Sequence, residues 1–263
     1  MRFSVQGLFV ATFFLFSFIA DSDYRVITNE SFQRSESYTY KAKLGILTIG
    51  EAKVDVAKTL HVINNRTCFL VNIAGKTAGV TDLYKVRNNY HSYIDTLAIL
   101  PQRFMMDVSE NNYKKEQVIA FDQLKNSALV EEKGASKKWQ MPDNIQDVVS
   151  VYYYFRLINF SKMSVGESFS QKMFFDNEIY DMKFKFMGKE IIKTKFGRLS
   201  VLKVLPILPK NKIFDGQEAI RIWVSDDKNR IPVRIACDFN YIGDVVLEVN
   251  NYQGNKYPVK WMK

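Results

Sequence analysis

Histidine and cysteine are nearly missing from this chain: 263 residues hold two of each. His61, His91, Cys68 and Cys237 are scattered singly. No His-Glu-x-x-His helix and no Cys-x-x-Cys pair can be written, so a metal centre of either kind is excluded. A Gly-x-Ser-x-Gly elbow and a phosphate-cradling glycine loop are missing as well. The sequence therefore assigns no catalytic residue, no metal ligand and no cofactor. Cys68 beside either histidine could be drawn as a nucleophile pair, but only residue identity speaks for it. Cys68 and Cys237 could also form a disulfide, which spacing alone does not decide. The alternation of Cys237 with Val233, Ile235 and Phe239 favours a buried free thiol.

Long apolar runs are missing too, with one exception. Residues 1–20 carry Arg2 and then an apolar stretch from Leu8 to Ala20. This is the layout of a secretory signal, with Phe18 and Ala20 at −3 and −1 if cleavage follows Ala20. An uncleaved anchor is the alternative, but the stretch is short against the roughly 20 residues of a span. No cysteine follows it, so a lipid anchor is not expected. Export to a periplasm, and a mature chain soluble after cleavage, are the expectations. Prolines number six, and no Pro- or Gly-rich linker divides the chain. Residues 21–263 are read as a single β-rich domain.

Charge is present in excess of one sign, with a formal net charge of +9. Lys183, Lys185, Lys189, Lys193, Lys195 and Arg198 cluster, and Lys256, Lys260 and Lys263 mark the tail. In an exported protein such a surface faces anionic lipid, cell-wall polymer or water, and nucleic acid is not an expected partner.

Aromatic residues make up 14% of the chain, and two patterns order them. Pro142 to Phe160 reads as the one long helix, capped by Asp143 with Gln146 closing a capping box. Its apolar positions run nearly all round, so it is expected to be buried on most sides. The β propensity of Val149 to Phe155 makes a strand the rival reading. Elsewhere the period is two. Tyr180, Met182, Phe184 and Phe186 alternate with Asp181, Lys183 and Lys185, and Ala52, Val54 and Val56 alternate with Lys53 and Asp55. About a dozen strands of this kind, mostly hairpin-linked, predict a mainly β fold. Its expected form is an antiparallel, strongly curved sheet or partly open barrel around the helix, with a two-sheet sandwich as the runner-up.

Two candidate sites follow. Tyr152, Tyr154, Phe155, Tyr180, Phe184 and Phe186 are the candidate lining of an interior cavity for an apolar or lipid-like ligand. Arg230 and Arg234, in the string from Trp223 to Arg234, are candidate anion contacts on the surface. The plainer reading of that string is a hairpin, with Asp226 and Asp227 in its turn and Pro232 near a strand start.

Three ordered stretches carry a resemblance: Leu-Gly-Ile-Leu-Thr-Ile-Gly-Glu-Ala within Tyr38 to Val56, the Tyr-rich helix ending near Arg156, and Trp223 to Asn250. Together they resemble a family of exported bacterial proteins known only as domain of unknown function 3108. The resemblance implies a cell-envelope setting and supplies no activity and no binding residues. The expected function is a non-catalytic binder or carrier of an apolar or lipid-like molecule. The alternative is a scaffold that meets cell-wall polymer or envelope proteins through its basic surface. A hydrolase ranks third.

Overall fold

The computed structural model describes residues 24–78, 85–208 and 214–262. The signal segment expected over residues 1–20 lies outside them. The first half of the chain is a meander of eight strands: β1 (Ser37–Leu44), β2 (Leu47–Ile63), β3 (Arg66–Thr77), β4 (Val86–Asp95), β5 (Pro101–Glu110), β6 (Tyr113–Asp122), β7 (Ser127–Glu132) and β8 (Ala135–Gln140). One helix, α1 (Val148–Phe155), follows. The second meander is β9 (Ser168–Phe175), β10 (Glu178–Thr194), β11 (Gly197–Ile207), β12 (Ile220–Ser225), β13 (Pro232–Phe239) and β14 (Gly243–Gln253).

The two meanders join edge to edge. β1 pairs antiparallel with β14, placing Tyr38 opposite Tyr252 and Lys41 opposite Glu248. All 14 strands then form one sheet, running from β8 to β1, then from β14 down to β9. A two-sheet sandwich is ruled out by that continuity. The hairpins carry the turn chemistry expected of them. Asn64 and Asn65 adopt φ of 52° and 58°, and Asp176 and Asn177 adopt 51° and 64°. These left-handed values match the twist of the flanking strands, and Asn and Asp tolerate them.

Strand spacing shows that the sheet curls. Laid flat, β8 and β9 would stand roughly 60 Å apart at about 4.8 Å per strand. Yet Trp139 of β8 and Phe174 of β9 have ring centroids 5.5 Å apart. Side chains close the gap. Lys115 of β6 contacts Asp176 in the β9–β10 turn and also Glu132 of β7, at 3.1 Å. Asn177 reaches the same Glu132 at 3.3 Å.

The helix is shorter than its sequence pattern and starts later. Asn144 takes φ of 55°, and Gln146 pairs with β9 through its backbone, donating to Lys172 and accepting from Phe174. Those bonds hold Gln146 extended, after a turn at Asp143 and Asn144. Asp147, not Asp143, is the N-cap, and Ser150 closes the capping box in place of Gln146. The all-round apolar character is explained by two cores. Val149 and Tyr153 enter the larger one, among Tyr38, Val54, Ile94 and Phe104. Val151 and Phe155 enter a second, with Phe160, Phe184, Phe186 and Val204.

Candidate functional site

Side chains along a strand alternate between faces. In β1 to β3, Tyr38, Tyr40, Val54, Val56 and Val71 are buried, so their neighbours in sequence point outward. Register then aligns those neighbours into two cross-strand rows. Thr39 lies opposite Lys53, Lys53 opposite Ala74, and Ala74 opposite Asn89. One row on, Lys41 lies opposite Glu51, Glu51 opposite Lys76, and Lys76 opposite Arg87. The two rows line a groove of about 570 Å³. Its floor is neutral and mostly small, with Thr39, Tyr40, Ala52, Ala74 and Gly75, and its walls carry four cations and one carboxylate.

The cations are weakly tied. Lys76 Nζ stands 4.0 Å from Glu51, and Lys53 Nζ is 2.9 Å from Asp55. Among the described residues Lys41 and Arg87 form no ion pair. A narrower pocket continues the groove past Lys41 and Asn250 to Lys43, Thr194 and Lys195. Lys195 Nζ donates to Asn250 Oδ1 at 2.9 Å. On the other side, Asn72 links Asp55, at 3.0 Å, to the Nδ1 of His91, at 2.7 Å. The result is an open, cationic, mostly neutral-floored surface trough, suited to hold an anionic chain.

The interior holds the other unusual polar group. Arg156 follows α1 and is fully buried, as is Glu36. Arg156 Nη2 donates to Glu36 Oε2 at 3.0 Å and to Asn229 O at 2.8 Å. Rings of Phe32, Tyr38 and Tyr153 surround the guanidinium at 5.3–5.7 Å. The hydroxyls of Tyr38, Tyr40, Tyr152 and Tyr153 are buried nearby, with Tyr38 beside Glu36 and Tyr40 beside Tyr152. Burial pushes the Tyr152 hydroxyl up to about 12, so it stays protonated. Burial by itself would lower Arg156, but the Glu36 carboxylate together with Tyr38 and Tyr152 outweighs it and raises the guanidinium.

The residues singled out from sequence are placed as follows. Phe155, Phe184 and Phe186 meet in one ring cluster with Phe160 and Phe169, at centroid distances of 5.0–6.3 Å. Tyr180 packs at its margin. Tyr152 and Tyr154 face the larger core instead, and the Arg25 guanidinium lies 4.7 Å from the Tyr154 ring centre. Arg230 donates to the carbonyl of Arg156 at 2.9 Å. Arg234 donates to Glu248 at 2.7 Å and to the carbonyl of Lys193 at 3.0 Å. The two arginines thus serve different neighbours. Asp226 and Asp227 lie in a turn, as the plainer reading of that string expects: Asp227 Oδ1 accepts from Ser225, Asn229 and Arg230. Lys41, Lys76 and Arg87 were not singled out. Alternation places each on the solvent face, but only register across four strands brings them together.

Comparison with known proteins adds the family and the fold. A family model described as "Protein of unknown function (DUF3108)" matches residues 39–250, and the chain belongs to that family. No curated protein matches it. Among solved structures, it is similar to a beta-barrel-like protein of domain of unknown function DUF1849 from Brucella abortus. That likeness has a TM-score of 0.55 at 9% identity and covers 85% of this chain and 98% of the other. At that identity it speaks for the fold alone.

Proposed function

We propose that this DUF3108 protein is an exported, non-catalytic binding protein of the cell envelope that holds an anionic polymer, of the cell-wall kind, along the outer faces of β1 to β4. The observation that carries the reading is the paired rows that set Lys41, Lys53, Lys76 and Arg87 around one open groove. A groove with a small neutral floor lets an extended chain lie close, while long cationic side chains close over it from both walls. Glu51 is its single carboxylate, and of its two hydroxyl residues, Thr39 and Tyr40, the second has its hydroxyl buried, a set that holds a ligand and does not activate a nucleophile.

The test uses the secreted mature chain, with dextran sulfate as a defined polyanion and neutral dextran as control. Lys41→Glu together with Arg87→Glu is expected to weaken polyanion binding about tenfold or more, and added salt is expected to weaken it in parallel. Equal binding of neutral dextran, or an unchanged affinity in the double variant, would sink the reading.

A second reading is a carrier for an apolar ligand held among Tyr152, Tyr154, Phe155, Tyr180, Phe184 and Phe186. What favours it is the seam between β8 and β9, closed by side chains and the Gln146 segment and not by a β8–β9 ladder. A seam of that kind can part without breaking a full strand pair. Native mass spectrometry before and after solvent extraction decides it: a clean apo mass with no uptake of added lipid removes the reading.

A further inference from the structure

Hairpin tips normally carry polar residues, because a tip cannot bury its side chains in its own core. Two tips here depart from that. The β1–β2 tip exposes Ile46 at 97% and Leu47 at 54%, and the β13–β14 tip exposes Tyr241 at 93% and Ile242 at 53%. These tips are neighbours. β1 and β14 are paired up to their ends, with Leu44 opposite Val245. An added Cβ on Gly243 would lie 3.9 Å from Leu44 Cδ1. Four large apolar side chains therefore project together past one rim of the curled sheet.

We infer that this rim docks the protein onto an anionic phospholipid bilayer, with Ile46, Leu47, Tyr241 and Ile242 entering the interface. The observation that selects a bilayer over another protein is the charge set back from the tip. Lys41 lies on β1, and Lys76 and Arg87 share its cross-strand row on β3 and β4, a row roughly 15 Å behind the tip at about 3.3 Å per residue, within reach of a head-group layer for long side chains. Three carboxylates near the rim are already engaged. Asp238 and Asp244 bind Arg221 at 2.8 and 3.0 Å, and Glu248 binds Lys43 and Arg234 at 2.9 and 2.7 Å. Lys41 and Arg87 have no such partner among the described residues. Tyrosine at the tip suits an interface that is apolar on one side and wet on the other. This inference goes beyond polymer binding: it shares Lys41, Lys76 and Arg87 with that reading and adds the four apolar side chains of the tips, whose replacement should leave dextran sulfate binding unchanged.

The experiment is sedimentation of the mature chain with phosphatidylcholine vesicles, and with vesicles that also contain phosphatidylglycerol. Preferential binding to the anionic vesicles is expected. Ile46→Ser, Leu47→Ser, Tyr241→Ser and Ile242→Ser in one chain are expected to reduce it about tenfold or more. Because all four positions are exposed, circular dichroism and melting of that variant should match the parent. In a separate variant, Tyr241→Trp is expected to gain an emission blue shift on anionic vesicles. No vesicle binding by the parent would overturn the proposal, and so would full binding by the tip variant. A parent dimer that the tip variant converts to monomer, with no vesicle binding by either, would assign the rim to a second copy instead.

Discussion

Arg156 and Glu36 form a two-pronged ion pair with no exposure of either side chain. They are 120 residues apart in sequence. The pair ties the end of α1 to the lead-in of β1, next to the point where the two meanders join. Removing one partner strands a charge in a dry core, which is costlier than removing both. Arg156→Met is expected to destabilise by about 3–5 kcal/mol. Adding Glu36→Leu to it should recover part of that loss. Urea melts of the two single variants and the double variant check this; equal, additive losses would show that the pair is not coupled.

Asp147 gives a pH signature. It caps α1 and accepts from Ser92 Oγ, Val149 N and Ser150 N while fully buried. Burial outweighs those bonds and pushes the carboxyl up to about 6. A carboxyl raised in the fold keeps its proton longer there than in the unfolded chain. Its contribution is complete below the ordinary carboxylate range and is lost as pH rises through about 6. Asp147→Asn keeps a capping oxygen and removes the titration. Relative to the parent, this variant should gain roughly 1–2 kcal/mol between pH 4.5 and 7.5. Thermal melts across that range test the sign, which other carboxylates cannot mimic in a difference measurement. Asp147→Ala, lacking the cap, should lose about 1 kcal/mol or more at every pH.

The strands were legible because their burial alternates. Tyr180 to Phe186 and Ala52 to Val56 each read correctly from period two alone, and asparagine-rich turns marked the hairpins. The helix was legible in kind and misplaced in extent. Pro142 and Asp143 look like a start in isolation, but Gln146 is claimed by the β9 backbone, which no local pattern announces. The groove was hidden for the same kind of reason. Lys41, Lys76 and Arg87 are ordinary solvent-facing residues until the β1–β4 register sets them side by side. Glu36, the partner of Arg156, lies in a polar stretch that gives no sign of burial. What sequence missed was set by long-range pairing; what it caught was set by near neighbours.

The cysteines should behave as inert thiols, Cys68 buried in the core and Cys237, expected to be buried, only half-buried. Both are free, and they lie on β3 and β13, with β2, β1 and β14 between those strands. Burial pushes Cys68 up to about 12 and Cys237 up to about 11. Thiolate is the reactive form, so little of it is present at pH 8. Native protein should react slowly with a disulfide reagent at that pH and release two equivalents only on unfolding. Fast reaction of both thiols in the folded chain would contradict the burial of Cys68 and the raised thiol of Cys237.

Two glycines in the left-handed region separate backbone strain from steric closure. Gly134 and Gly254 have φ of 77° and 71°. A Cβ on Gly134 would meet nothing within 4 Å, so Gly134→Ala costs only the strained backbone, about 1 kcal/mol. A Cβ on Gly254 would lie 2.2 Å from the carbonyl oxygen of Ser35 and 3.1 Å from Glu36 Cα. Those are backbone atoms and cannot swing aside. Ser35 also donates its N–H to Val56 at 3.0 Å, which fixes the lead-in against β2. Gly254→Ala must therefore push the Glu36 segment away from Arg156 or move the end of β14. We expect a loss of about 2–4 kcal/mol, and Gly254→Ala combined with Arg156→Met should lose less than the sum, since both damage the same contact. Melting of Gly134→Ala, Gly254→Ala and that combination tests the argument; equal losses for the two glycines would show that strain, not the Ser35 contact, governs the position.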